Sequence, residues 1–244
     1  MSLLVKAAPG RIVTDITPAS AGWKHIHFKA LRLQAGEVEA LSTGPLEYCI
    51  TVLTGQVDVQ VGSQAFSALG SRASVFEESA PTAVYVPPGQ SLRITARSPA
   101  DVALSAAPAT GRHATRVIAP ESMRRSVRGQ GSNTRHVCDI LPETEAAESL
   151  LVVEVITPAG NSSSYPPHKH DSADPAAPDA ETVLEETYFH LLNPSQGFAF
   201  QRVYTDDRSL DEACAVEDHD VVMVPRGYHP VVAPHGYDLY YLNV

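Results

Sequence analysis

Apolar and polar residues alternate along this chain in short runs of strand length, and long stretches with the 3.6-residue spacing of a helix are almost absent. Residues 22–33 read as one strand, followed by a turn at Ala35-Gly36. Residues 47–54 and 56–61 read as two more, separated by a bend or bulge at Gly55. Residues 83–89 and 220–227 share a plan, an apolar strand running into Pro-x-Gly, and residues 91–95, 150–158, 184–190 and 198–208 complete the set. Residues 142–149 have the composition of a helical turn. Nineteen prolines and 15 glycines punctuate these runs, so the pattern predicts an all-β sandwich or barrel.

Length allows either one large β domain or two small ones, since the chain has 244 residues. The formal net charge of -10 argues against a nucleic-acid surface, which needs clustered Lys and Arg. A few local cations would still suffice for a small anionic ligand. Cys49, Cys138 and Cys214 are odd in number and widely spaced, which indicates neither a disulfide framework nor a Cys-x-x-Cys metal site. No window approaches a membrane span, and the opening apolar run is too short for a signal peptide. A cytoplasmic protein is expected.

The candidate chemistry centres on Ser164-Tyr165-Pro166-Pro167-His168-Lys169-His170-Asp171. Two histidines one residue apart in a strand point to the same face, and neutral imidazole is the commonest transition-metal ligand. Alone, the pair is a weak signal. Two later segments strengthen it: residues 184–190 bring a carboxylate, and residues 220–229 bring His229 after the Pro225-Arg226-Gly227 turn. Three neutral nitrogens and one anionic oxygen suit a divalent ion and leave positions for a substrate. The carboxylate is Glu185 or Glu186. If Glu186 points inward, Tyr188 and His190 share its face, which suits a polar ligand, so Glu186 is the chosen ligand.

These residues resemble the cupins, whose first motif carries His-x-His and a downstream Glu and whose second carries Pro-x-Gly and a His. A closer resemblance, over essentially the whole chain, is to the 5-deoxy-glucuronate isomerases of bacterial myo-inositol catabolism. It is carried by residues 161–171, 185–188, 193–208, 224–230 and 236–243. The resemblance implies a tandem cupin (bicupin) of two β-barrel or jelly-roll-like domains, set here at 1–120 and 121–244. The first lacks the second-motif histidine and is expected to have kept the architecture without a metal site, His25 and His27 notwithstanding. The second is expected to hold a divalent ion, zinc ahead of manganese, iron or nickel, on His168, His170, Glu186 and His229. The implied reaction interconverts 5-deoxy-D-glucuronate and 5-dehydro-2-deoxy-D-gluconate. Its partner is a small sugar acid, with a homo-oligomer allowed for. An iron-dependent cupin dioxygenase and a non-catalytic sugar-acid-binding bicupin are the competing readings.

Around that centre, Glu154 is a candidate acid or base, against a solvent-facing or Arg-paired glutamate. Tyr188 is a candidate proton donor, and so is one of Tyr237, Tyr240 and Tyr241 in the phenolic last strand, with Tyr240 chosen and the other two read as core packing. Phe198, Phe200, Arg202 and Tyr204 share a parity, and Arg202 there is either a clamp for the substrate carboxylate or one half of an ion pair with Asp206, Asp207 or Glu154. Tyr165 and His190 are the remaining substrate-side candidates. Residues 171–185, rich in Asp, Ala and Pro, are expected to form an irregular loop at the mouth of the site, either a lid or a passive insertion.

Overall fold

The computed structural model describes residues 2–171 and 182–244. In chain order the strands are β1 (Leu4–Val5), β2 (Ile12–Ile16), β3 (His27–Leu33), β4 (Val38–Ser42), β5 (Leu46–Thr54), β6 (Val57–Val61) and β7 (Gln64–Leu69). Next come β8 (Thr82–Val86), β9 (Ser91–Ala96), β10 (Ala100–Pro108), β11 (Arg116–Ile118), β12 (Arg124–Arg128), β13 (Arg135–Leu141) and β14 (Val152–Thr157). The last are β15 (Ser162–Ser163), β16 (Glu186–Asn193), β17 (Ala199–Tyr204), β18 (Asp211–Val216), β19 (Val221–Val224), β20 (Val231–Val232) and β21 (Asp238–Asn243). Among the described residues, helix is confined to α1 (Pro18–Ala21) and two short 3-10 turns. The helical turn expected at 142–149 is one hydrogen-bonded turn, Glu145 N–H donating to the Pro142 carbonyl at 2.9 Å, followed by bends. Its backbone amides at Glu148 and Ser149, with that of Leu150, donate to the buried Glu47 carboxylate instead.

The chain forms two compact units that interleave along the sequence. The first comprises Ala8–Arg125, Cys138–Val153 and Val244; the second comprises Met1–Ala7, Ser126–Val137 and Glu154–Asn243.

In the first unit a six-stranded sheet, β11-β8-β5-β10-β3-β2, and a four-stranded sheet, β4-β9-β6-β7, enclose an apolar core. Ile50, Val52, Val84, Val86, Val102 and Leu104 come to it from the larger sheet, and Val57, Val59, Leu92 and Ile94 from the smaller. The second unit contains all of β1, β19, β16 and β21 from a seven-stranded sheet of order β1-β19-β16-β21-β14-β13-β12. Its smaller sheet is β15-β20-β17-β18. The sandwich or barrel expected from the pattern takes the form of paired open sheets, as in a jelly roll. β1 pairs with β19 through Leu4↔Val222 and Val5↔Val221, and Lys6 Nζ reaches the buried Asp220 carboxylate at 2.7 Å.

β16 lies between β19 and β21, and every residue from Glu186 to Leu192 is buried. A strand covered on both faces needs side chains that suit each, and β16 meets this by placing Thr187, Phe189 and Leu191 on one face and Glu186, Tyr188 and His190 on the other. The second face carries the site.

Candidate metal centre

Gly227 sets the last histidine. Its φ is +88°, and a Cβ there would lie 2.5 Å from the Tyr204 carbonyl oxygen, so only glycine lets the turn pass so close to β17. Tyr204 and Tyr228 exchange backbone hydrogen bonds of 2.9 and 2.8 Å beside it. The next residue, His229, is buried, and its Nδ1–H donates to the Gly227 carbonyl at 2.9 Å. That bond fixes the tautomer and leaves the Nε2 lone pair directed inward, a common way of orienting a ligating imidazole. Nε2 is buried and has no hydrogen-bond partner.

His168 and His170 lie in irregular chain after β15, not in a strand. Leu184 N–H donates to the His170 carbonyl at 2.9 Å, which ties this segment to the approach to β16. One ligand atom each from His168, His170 and His229 lies within 4.8 Å of the others. Glu186, not Glu185, stands beside this cluster. Its Oε1 stands 3.8 Å from His170 Nε2 and 3.6 Å from His229 Nε2. Its Oε2 accepts a hydrogen bond from Asn243 Nδ2 at 2.8 Å, which leaves Oε1 for the cluster. Donor atoms about 2.1 Å from a common ion stand roughly 3–4 Å apart, a range that holds the two Glu186 distances and lies a little inside the 4.8 Å limit of the three histidine atoms. The orphaned His229 nitrogen independently fits a bound cation, because a buried lone pair without a partner is costly.

The electrostatics agree. Burial pushes the Glu186 carboxyl above its ordinary range and pulls the His168 and His229 rings below theirs. The rings are thus held in the neutral form that ligates, and a cation is the counter-charge that a buried Glu186 carboxylate lacks.

Behind the ligands lies a polar layer. Tyr188 Oη shares a hydrogen bond with Ser164 Oγ at 3.2 Å, and Tyr241 Oη shares one with Ser163 Oγ at 2.6 Å. Burial raises both phenol pKa values, so both stay protonated. His190 is fully buried, its ring 6.2 Å from those of Tyr188 and Tyr241, and neither ring nitrogen has a hydrogen-bond partner. Desolvation pulls its pKa down to about 4, which keeps it neutral.

Several sequence-derived candidates land elsewhere. Glu154 and Tyr240 pair with each other, Tyr240 Oη donating to Glu154 Oε2 at 3.0 Å. Tyr240 sits opposite Leu191 on β16, on the face of the sheet away from the histidines, so it is Tyr241, opposite His190, that reaches the site. Arg202 is exposed and holds Asp211 through two bonds of 2.8 and 2.7 Å, an ion-pair partner that the sequence argument did not name. The face it shares with Phe198 and Phe200 looks outward, at 40% and 48% exposure, while Gln201 and Val203 point in. Tyr165 is also exposed. Lys169 turns to Asp171 and Asp206. His25 and His27 form no three-donor cluster among the described residues. The lid proposed for 171–185 falls largely on residues 172–181, outside the described residues. Asn243, Ser163 and Ser164 were missed; the parity of Asn243 with Tyr241 was the available signal.

Two paired-sheet units in tandem, one of them with a three-histidine, one-glutamate cluster, define a bicupin. The chain belongs to the KduI/IolB family, which it matches over residues 3–244. It is 46% identical over 232 residues to a 5-deoxy-glucuronate isomerase of Geobacillus kaustophilus, covering 95% of this chain and 83% of that one. A protein of the same name from Halalkalibacterium halodurans is 48% identical over 234 residues, covering 96% and 86%. Among solved structures, an IolB-like protein of Salmonella typhimurium superposes with a TM-score of 0.96 at 44% identity, covering 100% of this chain and 92% of that one. The oxalate decarboxylase of Lactobacillus farciminis shares the fold alone, with a TM-score of 0.66 at 12% identity, covering 100% and 85%. Among the described residues, no helix is long and apolar enough to cross a membrane.

Proposed function

We propose that this protein is a metal-dependent 5-deoxy-glucuronate isomerase, interconverting 5-deoxy-D-glucuronate and 5-dehydro-2-deoxy-D-gluconate. The observation that carries the reading is the convergence of His168, His170, Glu186 and His229, with an orphaned buried nitrogen, in a chain close to relatives of that name. Zinc heads the candidates, since two or three imidazoles with one carboxylate are common in its catalytic sites. When bound, a divalent cation supplies Lewis acidity to the two oxygens that exchange carbonyl and hydroxyl roles.

The chain's own residues do the rest. The four ligands fix the position at which O1 and O2 meet the site. Tyr188, held by Ser164 and kept protonated by burial, is the proposed donor to the oxygen that gains a proton. Tyr241 and Ser163 form a second such pair alongside. Buried His190, neutral and without a partner, backs Tyr188.

Turnover of 5-deoxy-glucuronate followed by NMR tests the reading. Activity should disappear on chelation, return on addition of a divalent ion, and consume no oxygen. Stoichiometric oxygen uptake would make the protein a dioxygenase, and binding without turnover in metal-replete protein would leave it a sugar-acid-binding cupin.

A further inference from the structure

An aldose–ketose isomerase that selects a uronate needs a group for the carboxylate at the far end from C1 and C2. Arg202 and Lys169 are each committed to aspartates, which leaves other cations of the second unit for that role. Arg208 lies over the Tyr204 ring, and Arg226 is exposed beside Ser209. Arg135, at the start of β13, is different.

The Arg135 side chain is half-buried. Its Nη1 donates to the Asn133 carbonyl and to Asn133 Oδ1, at 3.1 and 3.2 Å. Gly129 packs so close that a Cβ there would lie 2.8 Å from Nη1 and 1.8 Å from the Asn133 carbonyl oxygen. The turn from Gly129 to Asn133 is thereby clamped around one corner of the guanidinium. The same turn is joined to the histidine segment, for Thr134 N–H donates to Asn161 Oδ1 at 3.1 Å and Asn133 Nδ2 donates to the Tyr165 carbonyl at 3.5 Å. Arg135 lies close enough for its charge to act on both the His168 ring and the Tyr241 phenol. Among the described residues no carboxylate pairs with it.

What remains is the Nε–Nη2 edge of the guanidinium, two parallel donors that match a carboxylate in bidentate fashion. A half-buried positive charge fixed at its third corner and lacking an anion is a ready-made half of an ion pair. We infer that Arg135 binds the carboxylate of the sugar acid through its Nε–Nη2 edge and so makes the site selective for uronates over neutral sugars. This rests on the isomerase reading for the identity of the ligand.

Two variants, Arg135→Met and Arg135→Lys, test it in the metal-loaded protein. Loss of a charge-assisted bidentate contact should raise KM for 5-deoxy-glucuronate by about 10- to 150-fold with little change in kcat. Arg135→Lys, which keeps the charge but not the fork, should fall between wild type and Arg135→Met. Metal content should stay at the wild-type level in both. Calorimetric binding of 5-deoxy-glucuronate supplies a readout that does not need turnover, and its Kd should rise by the same factor. Wild-type KM and Kd in both variants, or a parallel loss of metal and kcat, would overturn the role. Should Arg135→Met fail to fold, Arg135→Lys decides alone: raised Kd at full metal content supports the clamp, and unchanged Kd removes it. Failure of the isomerase reading looks different, because the wild-type protein would then bind metal yet leave 5-deoxy-glucuronate unconverted.

Discussion

The two units use one strand plan for opposite ends. In the first, β5 pairs with β8 through Tyr48↔Val86, Ile50↔Val84 and Val52↔Thr82, just before Pro87-Pro88-Gly89. In the second, β16 pairs with β19 through Glu186↔Val224 and Tyr188↔Val222, just before Pro225-Arg226-Gly227. Counting from the two turns, Tyr48, Ile50 and Val52 stand where Glu186, Tyr188 and His190 stand, and Ser91 stands where His229 does. The third strand follows suit, since Leu104 faces Ile50 and Val102 faces Val52, whereas Asn243 faces Tyr188 and Tyr241 faces His190. Apart from exposed Ser91, the first set lies in or against a continuous apolar core; the other is almost entirely polar. The framework evidently tolerates either filling, and a handful of inward positions decides whether a unit is a packed core or a reaction site. The carboxylates tell the same story. Glu47 is saturated by Tyr85 and three backbone amides, while Glu186 keeps one oxygen for the cluster.

The sharpest way to break the comparison is His229→Ala, which makes the second unit like the first at that position. Metal content measured by elemental analysis should fall to background and activity with it, since even lost supporting contacts to a metal ligand cost roughly 10- to 100-fold in affinity.

Next come the two turn glycines. Gly227→Ala must shift β17, because of the 2.5 Å approach to Tyr204, and should weaken metal binding by displacing His229. Gly89→Ala has a φ of +77° but nothing within 4 Å. It should lower stability by roughly 1–2 kcal/mol and leave metal content unchanged.

Ile50→Ala empties part of the apolar core and should cost about 2–5 kcal/mol in denaturant unfolding. Metal bound per folded chain should stay at the wild-type value. A loss of metal in that variant would show that the first unit's core supports the site after all.

The smallest effect concerns acid. The Thr110 hydroxyl, the Arg112 amide and neighbouring amides hold the Glu148 carboxyl down to about 2, against an ordinary 4.5. Its folded pKa is depressed, so its contribution is present above pH 4.5 and is lost as pH falls from 4.5 towards 2. Glu148→Gln should therefore flatten the fall of Tm across that window, a change that thermal melts at stepped pH would register.

Much of this was legible in the sequence. The Pro-x-Gly turn, the His-x-His pair and the parity of residues 186–190 led to the four clustered side chains, because β16 alternates cleanly between a polar and an apolar face. Parity could not say which face of β17 is inward, however, and aromatic Phe198 and Phe200 made the wrong one look like a lumen. The inward residues, Ala199, Gln201 and Val203, are small or moderate in size. In β21 the run Leu239-Tyr240-Tyr241-Leu242 is buried throughout, so no polar alternation distinguished Tyr241 from Tyr240. The interleaving of the two units escaped notice because β1 is two residues long and finds its partner at the other end of the chain.

That pairing has a temporal side. At roughly 5–20 residues per second of synthesis, β1 waits about 10–40 s before β19 exists. Until then its backbone groups have no ladder to join, and pairings so distant in sequence form slowly. Most of the first unit is made in the interval and has its own core to collapse around. The arrival of residues 221–229 then supplies, within one short stretch, both the partner of β1 and the histidine turn. One of the earliest strands to leave the ribosome is thus seated at the same stage as the last histidine of the cluster.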